Sequence, residues 1–97
     1  MTMGARAKKR IVRELTIKNM QGLHLRASSK IVHLANKFRS DVLLAKDGQE
    51  VNGKSIMSIA TLAAPLGSVI TVRVEGPDAK EAIEALTQLF EEKFGER

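Results

Sequence analysis

The spacing of apolar residues changes period once within residues 68–90, SVITVRVEGPDAKEAIEALTQLF, and that change constrains the fold more than any other feature of the chain. Up to Val74 the apolar residues alternate: Ile70, Val72 and Val74 fall on one face, as in a strand that buries one side. Beyond Pro77-Asp78 the spacing becomes helical. Ala82, Ile83, Leu86, Leu89, Phe90 and Phe94 form one stripe, and Asp78 with Glu81 gives a start like a capping box. A strand with one apolar face, joined by a short turn to a helix with one apolar stripe, buries both most simply by laying the helix on the sheet.

The rest of the chain repeats this logic. RELTIKN alternates, with Leu15 and Ile17 inward, and predicts a first strand; after the break at Gln21-Gly22, Ala27, Ile31, Leu34, Ala35 and Phe38 recur at helical spacing. DVLLAKDGQEV predicts a hairpin turning at Asp47-Gly48. Asn52-Gly53 then leads into a short helix over KSIMSIATLAA, capped by Ser55 and ended by Pro65 and Gly67. The order βαββαβα predicts an α+β fold: an open-faced two-layer β-sandwich, a mostly antiparallel four-stranded sheet with three helices on one face.

Ninety-seven residues supply one domain and one core, with room for a shallow surface site rather than an enclosed one. With no cysteine, disulfides, thiolate catalysis and thiolate metal sites are excluded, and the histidines and carboxylates show no metal-ligand spacing. No metal or other cofactor is expected. Apolar runs are too short to span a membrane and no signal peptide is evident, so a cytoplasmic protein is expected. The net charge of +5 is unevenly placed: Arg6, Lys8, Lys9, Arg10 and Arg13 precede the first acidic residue, Glu14, and beyond them eleven basic residues balance eleven acidic ones. Residues 1–11 are therefore expected as a disordered basic arm, with contact to an anionic partner as its functional alternative, and residues 12–97 as the folded domain. With the charge on the arm, and three phenylalanines but no tyrosine or tryptophan, a nucleic-acid-binding domain is disfavoured.

The stretch GLHLRAS, residues 22–28, carries the candidate chemistry. Gly22 lets the chain turn out of the strand, and residues 24–26 fall where the first helix begins. Amides in a first helical turn lack intrahelical partners and favour an anion. A histidine there keeps a ring nitrogen free near neutral pH, and Arg26 adds a guanidinium suited to phosphate oxygens. Taken alone, His24 is either a phosphohistidine site or a capping residue, and His33, on the polar side of the same helix, is a solvated or partner-facing residue.

GLHLRAS, together with NGKSIMSI and LGSVITVRVEGPDAKEAIEAL, resembles the HPr family of phosphocarriers of the bacterial phosphoenolpyruvate-dependent phosphotransferase system, from about residue 12 to the end of the sequence. The resemblance implies the same open-faced sandwich, and a carrier rather than an enzyme. It implies that His24 accepts a phosphoryl group on Nδ1 from phosphorylated Enzyme I and passes it to a downstream sugar-permease or regulatory acceptor domain, with Arg26 neutralising charge. It further implies regulatory phosphorylation of Ser55 by an HPr serine kinase, and a docking patch of Ile56, Met57 and Ala60 on the exposed side of the short helix, beside His24. The basic residues Arg26, Lys30 and Lys54 are expected to steer acidic partners, and the protein is expected to be a monomer.

Two positions depart from the family pattern. Leu25 stands where alanine or threonine is common, and Ala27 where proline is common. Alanine holds a first helical turn at small cost. Leu25 adds a bulky apolar side chain to the docking patch and bears on partner choice, so a nitrogen-related or purely regulatory branch competes with sugar uptake. A small ligand-binding or scaffold domain of the same fold remains the reading in which His24 and Arg26 are incidental.

Overall fold

The structure, a computed structural model, describes residues 9–97. Its elements are β1 (Lys9–Thr16), α1 (Leu25–Ala35), β2 (Asp41–Lys46), β3 (Gln49–Asn52), α2 (Ile56–Ala60), β4 (Val69–Gly76) and α3 (Ala79–Glu91), followed by a 3-10 turn, Lys93–Gly95. The four strands form one sheet in the order β1-β4-β2-β3, every neighbouring pair antiparallel. This is the predicted open-faced sandwich. Alternation works as read: Ile70, Val72 and Val74 of β4 are fully buried, as are Val42 and Leu44 of β2, and they face Ala27, Ile31 and Ala35 of α1 and Ala82, Ile83 and Leu86 of α3 in one core. The β2–β3 hairpin turns at Asp47 and Gly48, both at positive φ (51° and 83°), as the Asp-Gly pair predicts.

Three boundaries and one helix cap differ from the sequence reading. The basic arm was expected to extend to residue 11, but Lys9, Arg10 and Ile11 belong to β1 and pair with Gly76, Glu75 and Val74. Charge suggested solvation there, while the length of β4 offers those three residues a ladder. The expectation for residues 1–8 lies outside the described residues.

Helix α2 stops at Ala60, with Thr61 as its C-cap, several residues before Pro65. Ala63 then sits at φ 47°, so the chain leaves helical geometry before proline requires it. Ile59 of the helix and Leu62 just beyond it are buried in the core. Asp78 occupies the N-cap position of α3 but makes no capping hydrogen bond; its carboxylate accepts instead from Arg39 N (2.9 Å), Ser40 N (2.9 Å) and Ser40 Oγ (2.5 Å), tying α3 to the turn after α1.

Finally, α3 ends at Glu91, so Phe94 is not part of its stripe. Lys93 and Phe94 take left-handed backbone angles (φ 57° and 56°), and Phe94 is nevertheless fully buried, its ring 4.9 Å from that of Phe90 in an edge-on contact. An amphipathic period cannot distinguish a buried residue in the last helical turn from one folded back beneath it.

Candidate functional site

Gly22 makes the turn that delivers the site. Its φ of +69° is left-handed, and a Cβ there would stand 2.4 Å from Ala64 O, so the chain passes this point as glycine and lets Leu23 N bond Ala64 O at 2.9 Å. His24 follows as the N-cap of α1, with extended backbone (φ −72°, ψ 179°), and its carbonyl accepts the first helical bond from Ser28 N. The ring folds over the helix start: Nδ1 accepts from Arg26 N at 3.2 Å. A backbone amide can only donate, so Nδ1 is unprotonated and the ring proton sits on Nε2. On its other side Nε2 lies 2.6 Å from Glu96 Oε2, and donates to it.

Glu96 was not among the predicted site residues. Its second oxygen, Oε1, accepts from Asn19 Nδ2 at 3.0 Å, and that amide also donates to Gly22 O at 2.8 Å. Asn19 is fully buried, with Oδ1 unpaired. Burial acts to raise the Glu96 carboxyl, but hydrogen bonds from Asn19 and His24 and the charge of Lys30 outweigh it and hold it below its ordinary value. The His24 side chain is 26% exposed and that of Glu96 16%, so the bond is shielded while the ring edge stays open to solvent.

An open cleft is lined by Gln21, His24, Leu25, Arg26, Gly95, Glu96 and Arg97. Arg26 is exposed, and among the described residues no carboxylate pairs with its guanidinium. Leu25 is 70% exposed on the rim. The cleft therefore joins a shallow, cationic wall to an unprotonated ring nitrogen at a helix start, an arrangement whose charge and donors suit a phosphate anion.

The remaining predicted residues lie outside this cleft: Ile56, Met57 and Ala60 on α2, which packs against α1, Lys54 and Ser55 just before it, and Lys30 on α1. Ser55 is the N-cap of α2 as predicted, its Oγ accepting from Ser58 N at 3.3 Å. Met57 is 81% exposed and Ala60 is exposed, but Ile56, expected on the exposed side, is half-buried. Lys30 and Lys54, expected to steer partners, bond main-chain carbonyls of Phe94 and Phe38. Their charges remain near the surface; their positions are fixed by the fold. Met20 and Leu66 are further exposed apolar residues.

Residues 11–92 match the family described as PTS HPr component, phosphorylation site. The chain belongs to the HPr family. A phosphocarrier protein HPr of Xylella fastidiosa (strain Temecula1 / ATCC 700964) is 49% identical over 83 residues, covering 86% of this chain and 93% of that one. One from Cupriavidus necator is 46% identical over 84 residues, covering 87% and 94%. The crystal structure of HPr-C-His from Thermoanaerobacter tengcongensis superposes with a TM-score of 0.83 at 44% identity, covering 92% of this chain and 98% of that one. HPr is a phosphocarrier and not an enzyme. Among the described residues no helix is long and apolar enough to cross a membrane. In this HPr chain Glu96 falls beyond the residues that match the family description.

Proposed function

We propose that this chain is a cytoplasmic, monomeric HPr phosphocarrier that receives a phosphoryl group on His24 Nδ1 from phosphorylated Enzyme I and hands it to a downstream acceptor domain. The observation that carries this reading is the unprotonated Nδ1, held at the start of α1 against Arg26 N with a guanidinium two residues from the ring and an open cleft before it.

The chemistry needs little from the protein beyond placement. Nδ1 gives its lone pair to phosphorus while the bond between phosphorus and the donor nitrogen breaks, and that nitrogen leaves with the electron pair. For this the ring gives up its bond from Arg26 N, which then donates to a phosphate oxygen. Arg26 supplies countercharge, and the shallow cleft lets donor and acceptor visit in turn. Met57, Ala60 and Leu25 furnish apolar docking surface, with half-buried Ile56 at its edge; the flexible methionine suits more than one partner.

Ser55 is the regulatory site in this reading. A phosphate added there by an HPr serine kinase places about two negative charges on the docking helix and weakens binding to Enzyme I. A nitrogen-related or purely regulatory branch competes with sugar transport in this reading, because exposed Leu25 places an apolar side chain between His24 and Arg26, where it bears on which acceptors dock.

The test is incubation with phosphoenolpyruvate and a cognate Enzyme I, following acid-labile mass gain. The wild type gains one phosphoryl group, His24→Ala gains none, and Ser55→Asp gains it only at higher carrier concentration. A folded wild type that gains nothing, or a His24→Ala that gains as much, overturns the carrier reading. Equal concentration dependence for Ser55→Asp and wild type removes the regulatory role of Ser55. Acid-labile transfer onward to a sugar-permease domain argues against the regulatory branch.

A further inference from the structure

We infer that Glu96 is the positioning residue of His24: its carboxylate keeps the ring proton on Nε2 and balances the charge that the ring acquires when Nδ1 takes the phosphoryl group. The inference rests on the carrier reading above and concerns a residue outside the span that matches the family description.

The molecule is built to bring this carboxylate to the ring. Helix α3 ends at Glu91, and the following turn places Lys93, Phe94 and Gly95 all at positive φ, two of them residues for which that geometry is costly. The buried Phe94 ring, its contact with Phe90, and the bond from Lys30 Nζ to Phe94 O hold the turn in place. Beyond it, Met20 N bonds Arg97 O at 2.7 Å and Asn19 Nδ2 bonds Glu96 Oε1 at 3.0 Å. Asn19 is buried in the turn that leads to His24, and its amide grips Gly22 O and Glu96 at once. Both sides of the His24–Glu96 bond are thus fixed from outside it.

The consequence for transfer follows from where the proton sits. When Nδ1 gives its lone pair to phosphorus, the ring becomes cationic while its proton stays on Nε2. When the Nδ1–P bond later breaks, the pair returns to Nδ1 and the proton has not moved. A carboxylate 2.6 Å from Nε2 stabilises that cationic ring more than the neutral one, so it favours the charged transition state in both directions. Because Glu96 touches the nitrogen opposite the reacting one, it acts through the ring and not on the phosphoryl group.

Wild type, Glu96→Gln and Glu96→Ala are compared in three measurements: thermal melting, single-turnover phosphorylation by phosphorylated Enzyme I, and the ring N–H signal of His24 by nitrogen-edited NMR. Glutamine keeps a hydrogen-bond acceptor and loses the charge. Both variants are expected to fold and to bind the donor at wild-type concentration dependence, with the maximal transfer rate lowered about tenfold, the loss of one charge-assisted hydrogen bond at the reacting ring. The solvent-shielded Nε2–H signal is expected to persist in wild type, weaken in Glu96→Gln and vanish by exchange in Glu96→Ala. A Glu96→Ala protein with wild-type maximal rate and an intact Nε2–H signal overturns the role of Glu96 while leaving the carrier reading standing. A wild type that takes up no phosphoryl group overturns the carrier reading, and this inference with it. If Glu96→Ala melts too early to assay, Glu96→Gln alone decides by the same two readouts.

Discussion

At the scale of single residues, two carboxylates show how a side chain acts far from where sequence places it. Asp78 looks like a helix cap and serves as a cross-link: hydrogen bonds from the Ser40 hydroxyl and the Arg39 amide hold its carboxyl at about 2, against an ordinary 3.8. The unfolded chain therefore takes up this proton at higher pH than the folded one. The stabilisation is complete above the ordinary value and is lost as pH falls through the folded one. The urea midpoints of wild type and Asp78→Ala are accordingly expected to differ by a constant amount above pH 5 on the order of the carboxylate range, and to converge on further acidification. A gap that stays constant down to acid would show that the cross-link is insensitive to ionisation. Glu96 follows the same sign, because its carboxyl is also held below its ordinary value. His24 and Arg26 were legible as a pair, since both lie within three residues of one helix start. Glu96 was not, being 72 positions away from His24 with no motif to mark it.

At the scale of elements, interiors were easier to read than ends. The alternation in β4 and the stripe in α3 reflect which faces are buried, and burial is what composition encodes. Helix ends depend on local backbone geometry and on what receives the chain next. The end of α3 is the instructive case: Phe94 fits the helical stripe, but its ring is buried from a left-handed turn instead. Lys93 is exposed and carries the same left-handed angle without a buried side chain to hold it. Lys93→Gly is expected to raise stability by about 0.5–1 kcal/mol, relief of the left-handed cost less the added freedom of the unfolded chain. Chemical denaturation checks it, and a loss of stability would mean that the lysine side chain supplies contacts outweighing its backbone cost. Phosphorylation by the donor should be unaffected by this change, because the turn itself is retained.

At the scale of the whole molecule, one core joins the sheet to the helices, and the site is an outgrowth of that core. Leu86 is fully buried on α3, among the residues that pack the helix onto the sheet. Leu86→Ala is expected to cost about 2–5 kcal/mol, from lost burial and the cavity left behind, while the transfer rate of the folded fraction stays near wild type. Denaturant midpoints and single-turnover rates separate the two effects. A fall in rate without loss of stability would mean that α3 transmits its packing directly to Glu96. Charge also reads differently at this scale. The basic residues Lys9 and Arg10, assigned to a solvated arm by composition, lie in β1, because an eight-residue β4 leaves ladder positions for them.

The order of the elements, the faces they bury, the Asp-Gly hairpin, and the histidine and arginine at a helix start are all legible in local spacing, because each is set by residues within one or two turns of one another. The strand order β1-β4-β2-β3, the cross-link from Asp78 to Ser40, and the arrival of Glu96 and Asn19 at His24 come instead from long-range packing. Those contacts join residues tens of positions apart. Their geometry follows from where the packed core leaves each chain segment, which no local period or spacing records.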